Sequence, residues 1–210
     1  MNEKPLVVYL AVSLLDKSHF VDFINNYKKY KSGYNHDLLI CFKNFDNQKL
    51  NEWKKLVDVD YIEFIDNYKI NDYDIGSYFR VSKNYNKKLI LFLGTYTYPV
   101  VDDWLKIFID NYENKSALSA SGSYASISGQ HLSFFYKQHT KFQQLRWGLK
   151  HLIYVSLFPN PHLITTGFFI RAEDFLDLKV DLKKFIKKIE TNYFEGGRFG
   201  FSNQLISKGF

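Results

Sequence analysis

The residues with chemistry to offer fall into a few short stretches. Asp74-Ile75-Gly76-Ser77-Tyr78-Phe79-Arg80 combines a carboxylate, a glycine and a guanidinium just before the apolar run Leu89–Leu93. That run opens into Gly94-Thr95-Tyr96-Thr97-Tyr98-Pro99, followed by Asp102-Asp103-Trp104-Leu105. Further on come Ser121-Gly122-Ser123-Tyr124, Asn160-Pro161-His162, Thr166-Gly167-Phe168-Phe169-Ile170-Arg171 and Phe194-Glu195-Gly196-Gly197. A guanidinium offers a planar fork of donors suited to a diphosphate, and equally to a surface ion pair. Threonine hydroxyls and backbone N–H groups can hydrogen-bond phosphate oxygens, but they lack the charge that a hard cation bridging a diphosphate requires. Asp102 and Asp103 are most simply the N-cap and first turn of a helix. Glu195, ahead of two glycines, has two readings: a general base, or a helix-start residue favoured by the dipole.

Several chemistries are absent from the pattern. The first apolar run is followed by Ser13-Leu14-Leu15-Asp16-Lys17, with no glycine to cradle a phosphate, which argues against a nucleoside triphosphatase or an NAD enzyme. There is no Gly-x-Ser-x-Gly elbow. The six histidines (19, 36, 131, 139, 151 and 162) have no metal-ligand spacing and the single cysteine, Cys41, sits in an apolar run. Cys41 is expected as a buried thiol in a reducing compartment.

Positioning these stretches requires alternating strands and helices. Leu6–Ser13 is a continuous apolar run closed by a small polar residue, as expected of a strand buried on both faces of a parallel sheet. Ser18 is a candidate N-cap for a helix carrying Phe20, Phe23, Ile24 and Tyr27 and ending at Gly33. Strands are expected over 37–42, 60–65, 87–93 and 116–121, with helices over 47–57, 72–82 and 102–112. The later chain is expected to hold a long helix over 132–157, a strand over 163–171, a helix over 181–193 and a short final helix. This rhythm predicts one doubly wound, mostly parallel α/β sheet with flanking helices over residues 1–210. Ligands of such sheets bind beyond the carboxyl ends of the strands. The abrupt end at Lys208-Gly209-Phe210 suggests a trimmed chain.

The order of these motifs resembles the GT-A glycosyltransferases, specifically family-2-like bacterial enzymes of surface-polysaccharide clusters. In those, a helix with a Gly and an Arg or Asn precedes a strand that ends in Asp-x-Asp, and a Trp-Leu helix follows. The resemblance covers nearly the whole chain. It implies a nucleotide-sugar donor held by Val12, Ser13, Asp74, Gly76 and Arg80, with Thr95 and Thr97 at the diphosphate. It implies an acceptor, a glycan or a lipid-linked sugar, lined by Thr166, Gly167 and Tyr193, with Glu195 as catalytic base. The chain departs from the family at Gly94-Thr95-Tyr96-Thr97, where the metal-binding carboxylates are missing, so no metal or other cofactor is expected. A degenerate nucleotide- or glycan-binding module, or a partner subunit, is the alternative.

The formal charge of +6 permits an anionic partner, but the lysines are dispersed in pairs and carry no nucleic-acid recognition motif, so a nucleic-acid partner is not expected. The N-terminus is unlike a signal peptide, and no run approaches the roughly 20 apolar residues of a spanning helix. A cytoplasmic location, with possible contact at the inner face of a membrane, is the expectation. The apolar and aromatic stretch Leu145–Phe158 fits a helix on a membrane surface, but a buried helix is the primary expectation. Oligomeric state is not legible.

Overall fold

The computed structural model describes residues 4–68, 72–132, 140–184 and 187–210. The first half alternates as expected: β1 (Leu6–Val12), α1 (Lys17–Lys29), β2 (Asp37–Lys43), α2 (Asn47–Lys54), β3 (Ile62–Asp66), α3 (Tyr73–Asn84), β4 (Leu89–Leu93) and α4 (Trp104–Asp110). Shorter elements follow: β5 (Leu118–Ser119), β6 (Gly122–Ser123), α5 (Ile127–Leu132), α6 (Lys141–Leu152), β7 (His162–Leu163), β8 (Gly167–Arg171), α7 (Ala172–Leu176), α8 (Lys188–Gly196) and α9 (Phe201–Ser207).

Six strands form one sheet in the order β3-β2-β1-β4-β8-β5. β1 to β4 are mutually parallel, and β8 enters antiparallel to β4. Both faces are covered, so alternate residues of a strand enter different cores. From β1, Leu6, Val8 and Leu10 pack with Ile75, Phe175 and Phe201 under α3, α7 and α9. Val7, Tyr9 and Ala11 pack with Phe20, Trp53 and Leu105 under α1, α2 and α4. This is the doubly wound, mostly parallel sheet that the continuous apolar runs predict. Cys41 is buried in the first of these cores, and burial pushes its thiol pKa up.

The structure revises several local expectations. Helix α1 is capped by Asp16, whose carboxylate accepts from the Ser18 N–H (2.8 Å), so Ser18 lies in the first turn. Gly33 stands in the following turn at φ 72°. The strand expected over 163–171 is two strands, interrupted by a turn at Thr165 and Thr166. β5 has two residues and runs antiparallel to β8. The helix expected over 181–193 begins only at Lys188, after a single 3-10 turn over Leu182–Lys184. Of the long helix expected over 132–157, the described parts are the end of α5 and α6; its middle, with His139, lies outside the described residues. The buried helix expected over Leu145–Phe158 is instead largely exposed, with Leu149 at 54 % and Phe158 at 70 %. No described helix is long and apolar enough to cross a membrane.

Candidate functional site

β1 and β4 are neighbours, yet the chain leaves β1 through α1 on one face and enters β4 from α3 on the other. Connections therefore diverge beyond the carboxyl ends of these two strands and leave a crevice there. A cleft of about 300 Å³ occupies the position, lined by Val12, Asn44, Tyr73, Asp74, the Gly94–Thr97 turn, Thr166 and Lys188.

The turn after β4 is fastened on both sides. Tyr9 Oη donates to the Thr95 carbonyl (2.8 Å), and Thr95 Oγ1 donates to the Leu10 carbonyl (2.8 Å). Gly94 N–H and Thr97 Oγ1 both donate to the Thr166 carbonyl, at 2.7 and 2.9 Å. The hydroxyl hydrogens of Thr95 and Thr97 are thus committed to backbone, and those side chains can only accept from a ligand. They shape the cleft rather than supply donors to a diphosphate, which corrects the role expected for them. Beneath the turn lies Tyr78, whose buried hydroxyl has no hydrogen-bond partner among the described residues. A Cβ at Gly94 would stand 3.5 Å from that oxygen. Burial, and then the charge of Asp74, push the Tyr78 pKa up.

Arg80 is also committed elsewhere. Its Nε and Nη2 grip both oxygens of Asp66 (2.8 and 2.6 Å), while Nη1 donates to Asp72 (2.6 Å). Lys43 Nζ donates to the other Asp72 oxygen (2.5 Å), and Ser77 Oγ donates to Asp66 (2.6 Å). Two cations and two carboxylates balance one another behind the cleft. Burial works to raise the Asp66 pKa, but the hydrogen bonds from Arg80 and Ser77 outweigh it and leave it lowered. The guanidinium expected at the diphosphate is spent on this network. Gly76 belongs to it too, since a side chain there would collide with Asp72. Ser13 donates its hydroxyl to the Asn44 carbonyl and is buried, so it braces the cleft wall without lining it. Asp102 accepts from the Lys31 N–H (2.7 Å), and Asp103 precedes α4 at φ 60° without a side-chain cap bond. Both therefore tie α4 to the α1–β2 connection, and the expected side-chain N-cap is not made.

Two cations line the cleft: Lys43, committed to Asp72, and Lys188, the first residue of α8, which sequence reasoning missed because it ends a lysine-rich run. Lys188 is exposed and makes no ion pair with a described carboxylate; its ammonium stands 5.9 Å from the Tyr73 ring centroid. Asp74, at the start of α3, is half-buried nearby. Burial raises its pKa, the charge of Glu195 raises it further, and Lys188 partly offsets both.

Glu195 sits in the last turn of α8, not at a helix start, so the dipole does not explain a carboxylate there. Thr165 holds it: the backbone N–H and Oγ1 both donate to Oε1, at 3.0 and 2.5 Å. Oε2 has no partner among the described residues. Glu195 lines a smaller pocket of about 190 Å³ with Val155, Asn160, His162 and Asn192. Asn160 donates to the Gly196 carbonyl (2.8 Å), and a Cβ at Gly196 would press on the His162 ring at 2.9 Å. Thr165 and Thr166 thus join the two spaces, one holding Glu195 and the next lining the cleft. Gly167 is buried in β8 opposite Leu93, and Tyr193 bonds His151 and stacks on Tyr154, so neither lines the cleft or the Glu195 pocket. A larger hollow of about 560 Å³ between Ala117, Leu163 and Leu205 has no carboxylate, lysine or arginine in its walls. Among the described residues no three His, Cys, Asp or Glu side chains group closely enough to hold a metal ion.

Fold and site together define an α/β protein with a cleft at the switch point of a mostly parallel sheet and a carboxylate in the adjoining pocket. No family model and no curated protein sequence matches the chain. Among solved structures it is similar to the mannosyltransferase Ktr4p from S. cerevisiae, at 12 % identity and TM-score 0.47, over 96 % of this chain and 64 % of that one. It is similar to the same enzyme in complex with GDP at 13 % and 0.48, over 99 % and 66 %. Apo mouse xyloside xylosyltransferase 1 follows at 9 % and 0.40, over 98 % and 82 %. The chain thus spans just under two thirds of Ktr4p as solved. None of these overlays bears on which residues do chemistry here.

Proposed function

We propose that this protein is a GT-A-like glycosyltransferase that moves a sugar from a nucleotide-sugar donor to a glycan or lipid-linked acceptor in surface-polysaccharide synthesis, in the cytoplasm. The observation that carries the reading is Glu195. One of its oxygens is fixed by two donors from Thr165, the other is unengaged, and it neighbours Asp74 beside a cleft at the switch point. A carboxylate held this way can take a proton without losing its place.

The donor lies in the cleft, with Lys188 beside its diphosphate. The acceptor hydroxyl approaches from the Glu195 pocket. As its oxygen bonds to the anomeric carbon, its proton passes to Glu195 Oε2. The bond from that carbon to the donor phosphate breaks, and the nucleoside diphosphate leaves with the electron pair. With Glu195 as base the displacement is single and inverts the anomeric centre. No metal takes part: a diphosphate-bridging cation needs several charged oxygens, and among the described residues Asp74 is the one carboxylate side chain lining the cleft.

Calorimetry with UDP-, GDP-, dTDP- and CMP-sugars, with and without manganese, tests the reading. Metal-independent binding accompanied by slow donor hydrolysis is expected, and absence of binding to every donor would overturn it. A second reading, a nucleotide- or glycan-binding module without turnover, draws on the commitment of Arg80, Thr95 and Thr97 to internal partners. It predicts binding with no hydrolysis and no transfer.

A further inference from the structure

Helix α6 has its polarity inverted. The side that packs against the protein carries Gln144, Gly148 and His151, all buried. At Gly148 the backbone approaches so closely that a Cβ would stand 2.6 Å from Leu132 of α5. The opposite side presents Phe142, Leu145 and Leu149, continued by the C-cap residue Ile153, with exposures of 75, 42, 54 and 66 %. Their spacing of three and four residues places them in one stripe. An ordinary amphipathic helix turns such a stripe inward; this one turns it to solvent over its full length.

The stripe's surroundings say what covers it. Arg146 and Lys150 flank it, Lys141 stands at its start, and none of the three is paired with a described carboxylate. The sequence offers them none nearby, because no Asp or Glu occurs between Glu113 and Glu173. Trp147 and Tyr154, each 44 % exposed, lie toward the packed side of the helix, where Trp147 stacks on His151 and Tyr154 on Tyr193. The apolar surface extends into the loop tied to the helix end, where the Arg198 N–H donates to the Tyr154 carbonyl and Phe199 is 81 % exposed. A protein partner of matching shape would need only the apolar stripe. An apolar stripe flanked by bases free of acids matches an anionic bilayer surface, where apolar side chains enter the acyl boundary and cations meet headgroups.

We infer that α6 docks this protein on an anionic lipid surface, inserting Phe142, Leu145, Leu149 and Ile153 with Arg146 and Lys150 at the headgroups. The docking stands on α6 alone; its purpose rests on the transferase reading. Val155, two residues beyond Ile153 and buried, lines the Glu195 pocket. Docking would therefore hold that pocket, behind the docked segment, near the membrane from which a lipid-linked acceptor is drawn.

Sedimentation with vesicles of phosphatidylcholine alone, and of an equal mixture with phosphatidylglycerol, tests the docking. Binding to the mixed vesicles and little to the neutral ones is expected, weakening as salt rises. Leu149→Glu/Ile153→Glu is expected to abolish binding, and Arg146→Glu/Lys150→Glu to weaken it about tenfold or more. All these side chains are exposed, so both variants should melt as the wild type does and keep its donor affinity. Failure to bind mixed vesicles, or equal binding to both kinds, would overturn the inference. So would a dimer in sedimentation velocity that Leu149→Glu/Ile153→Glu dissolves, since the stripe would then be covered by a second copy. Vesicle binding without donor binding would leave the docking standing and remove the transferase reading instead.

Discussion

Asp72 occupies the space in which a side chain at Gly76 would begin: a Cβ there would lie 1.8 Å from Asp72 Oδ2. The carboxylate cannot swing away, because Lys43 and Arg80 hold its two oxygens and it is fully buried. Overpacking a core costs about 1–3 kcal/mol, and separating buried ion-pair partners about 3–5 kcal/mol. Gly76→Ala is therefore expected to lower unfolding stability by about 3 kcal/mol, read as a lower urea midpoint with unchanged slope. A neutral outcome would show that Asp72 has another place to go.

The same network predicts acid sensitivity. The folded-state pKa of Asp66 is lowered, so its stabilising contribution is complete above its unfolded value of about 3.9 and is lost as pH falls through the lower folded value. Arg80→Met removes one partner and leaves Asp66 bonded by Ser77 and Asp72 by Lys43. The variant is expected to lose about 3 kcal/mol at neutral pH, and the gap to wild type should narrow below about pH 4. Urea midpoints measured across the acid range check this. A constant gap would mean that Arg80 contributes packing and not charge.

How much of this was legible in the sequence depends on where each residue's partners lie. β1, β2 and β4 are readable because a strand covered on both faces is apolar at every position. Val12, Asp74 and the turn residues Thr95 and Thr97 do line the cleft, because topology puts the ends of β1 and β4 side by side. Arg80 was misleading because its acids, Asp66 and Asp72, come together only when β3 and α3 pack. The hydroxyls of Thr95 and Thr97 were misleading because their acceptors are carbonyls of distant strands and turns. Helix α6 was misread because apolar periodicity identifies a face but not the side to which it points. Lys188 and Tyr78 left no signal, the first hidden among lysines and the second among core aromatics.

Asp74 predicts stability of the opposite sign to Asp66. Its folded-state pKa is raised, first by burial and then by Glu195, so the folded protein binds that proton more tightly than the unfolded chain. Its contribution therefore falls as pH rises from its unfolded value through the raised one. Asp74→Asn is expected to stabilise the protein at neutral pH, with the gain vanishing below about pH 4. It also removes a negative charge from beside the diphosphate position, so calorimetric affinity for a nucleoside diphosphate should rise several-fold. Weaker binding would instead assign Asp74 a direct contact with the nucleotide.

Thr165 and Glu195 give the most direct test of the catalytic proposal. Glu195→Gln keeps the shape and the bonds from Thr165 but cannot accept the acceptor's proton, so turnover should fall by about 100-fold or more while donor affinity is retained. Thr165 is a positioning residue acting through Glu195. Thr165→Val removes the hydroxyl donor at 2.5 Å and keeps the N–H donor at 3.0 Å. A hydrogen bond to a charged group is worth about 1.5–3 kcal/mol, so kcat should drop about tenfold or more with KM for the donor little changed. Thr165→Ser restores the hydroxyl and should recover most of the loss, which a purely packing role for the methyl group would not allow. Equal losses in Thr165→Val and Thr165→Ser, or full turnover in Glu195→Gln, would remove Glu195 from the reaction and leave the cleft as a binding site alone.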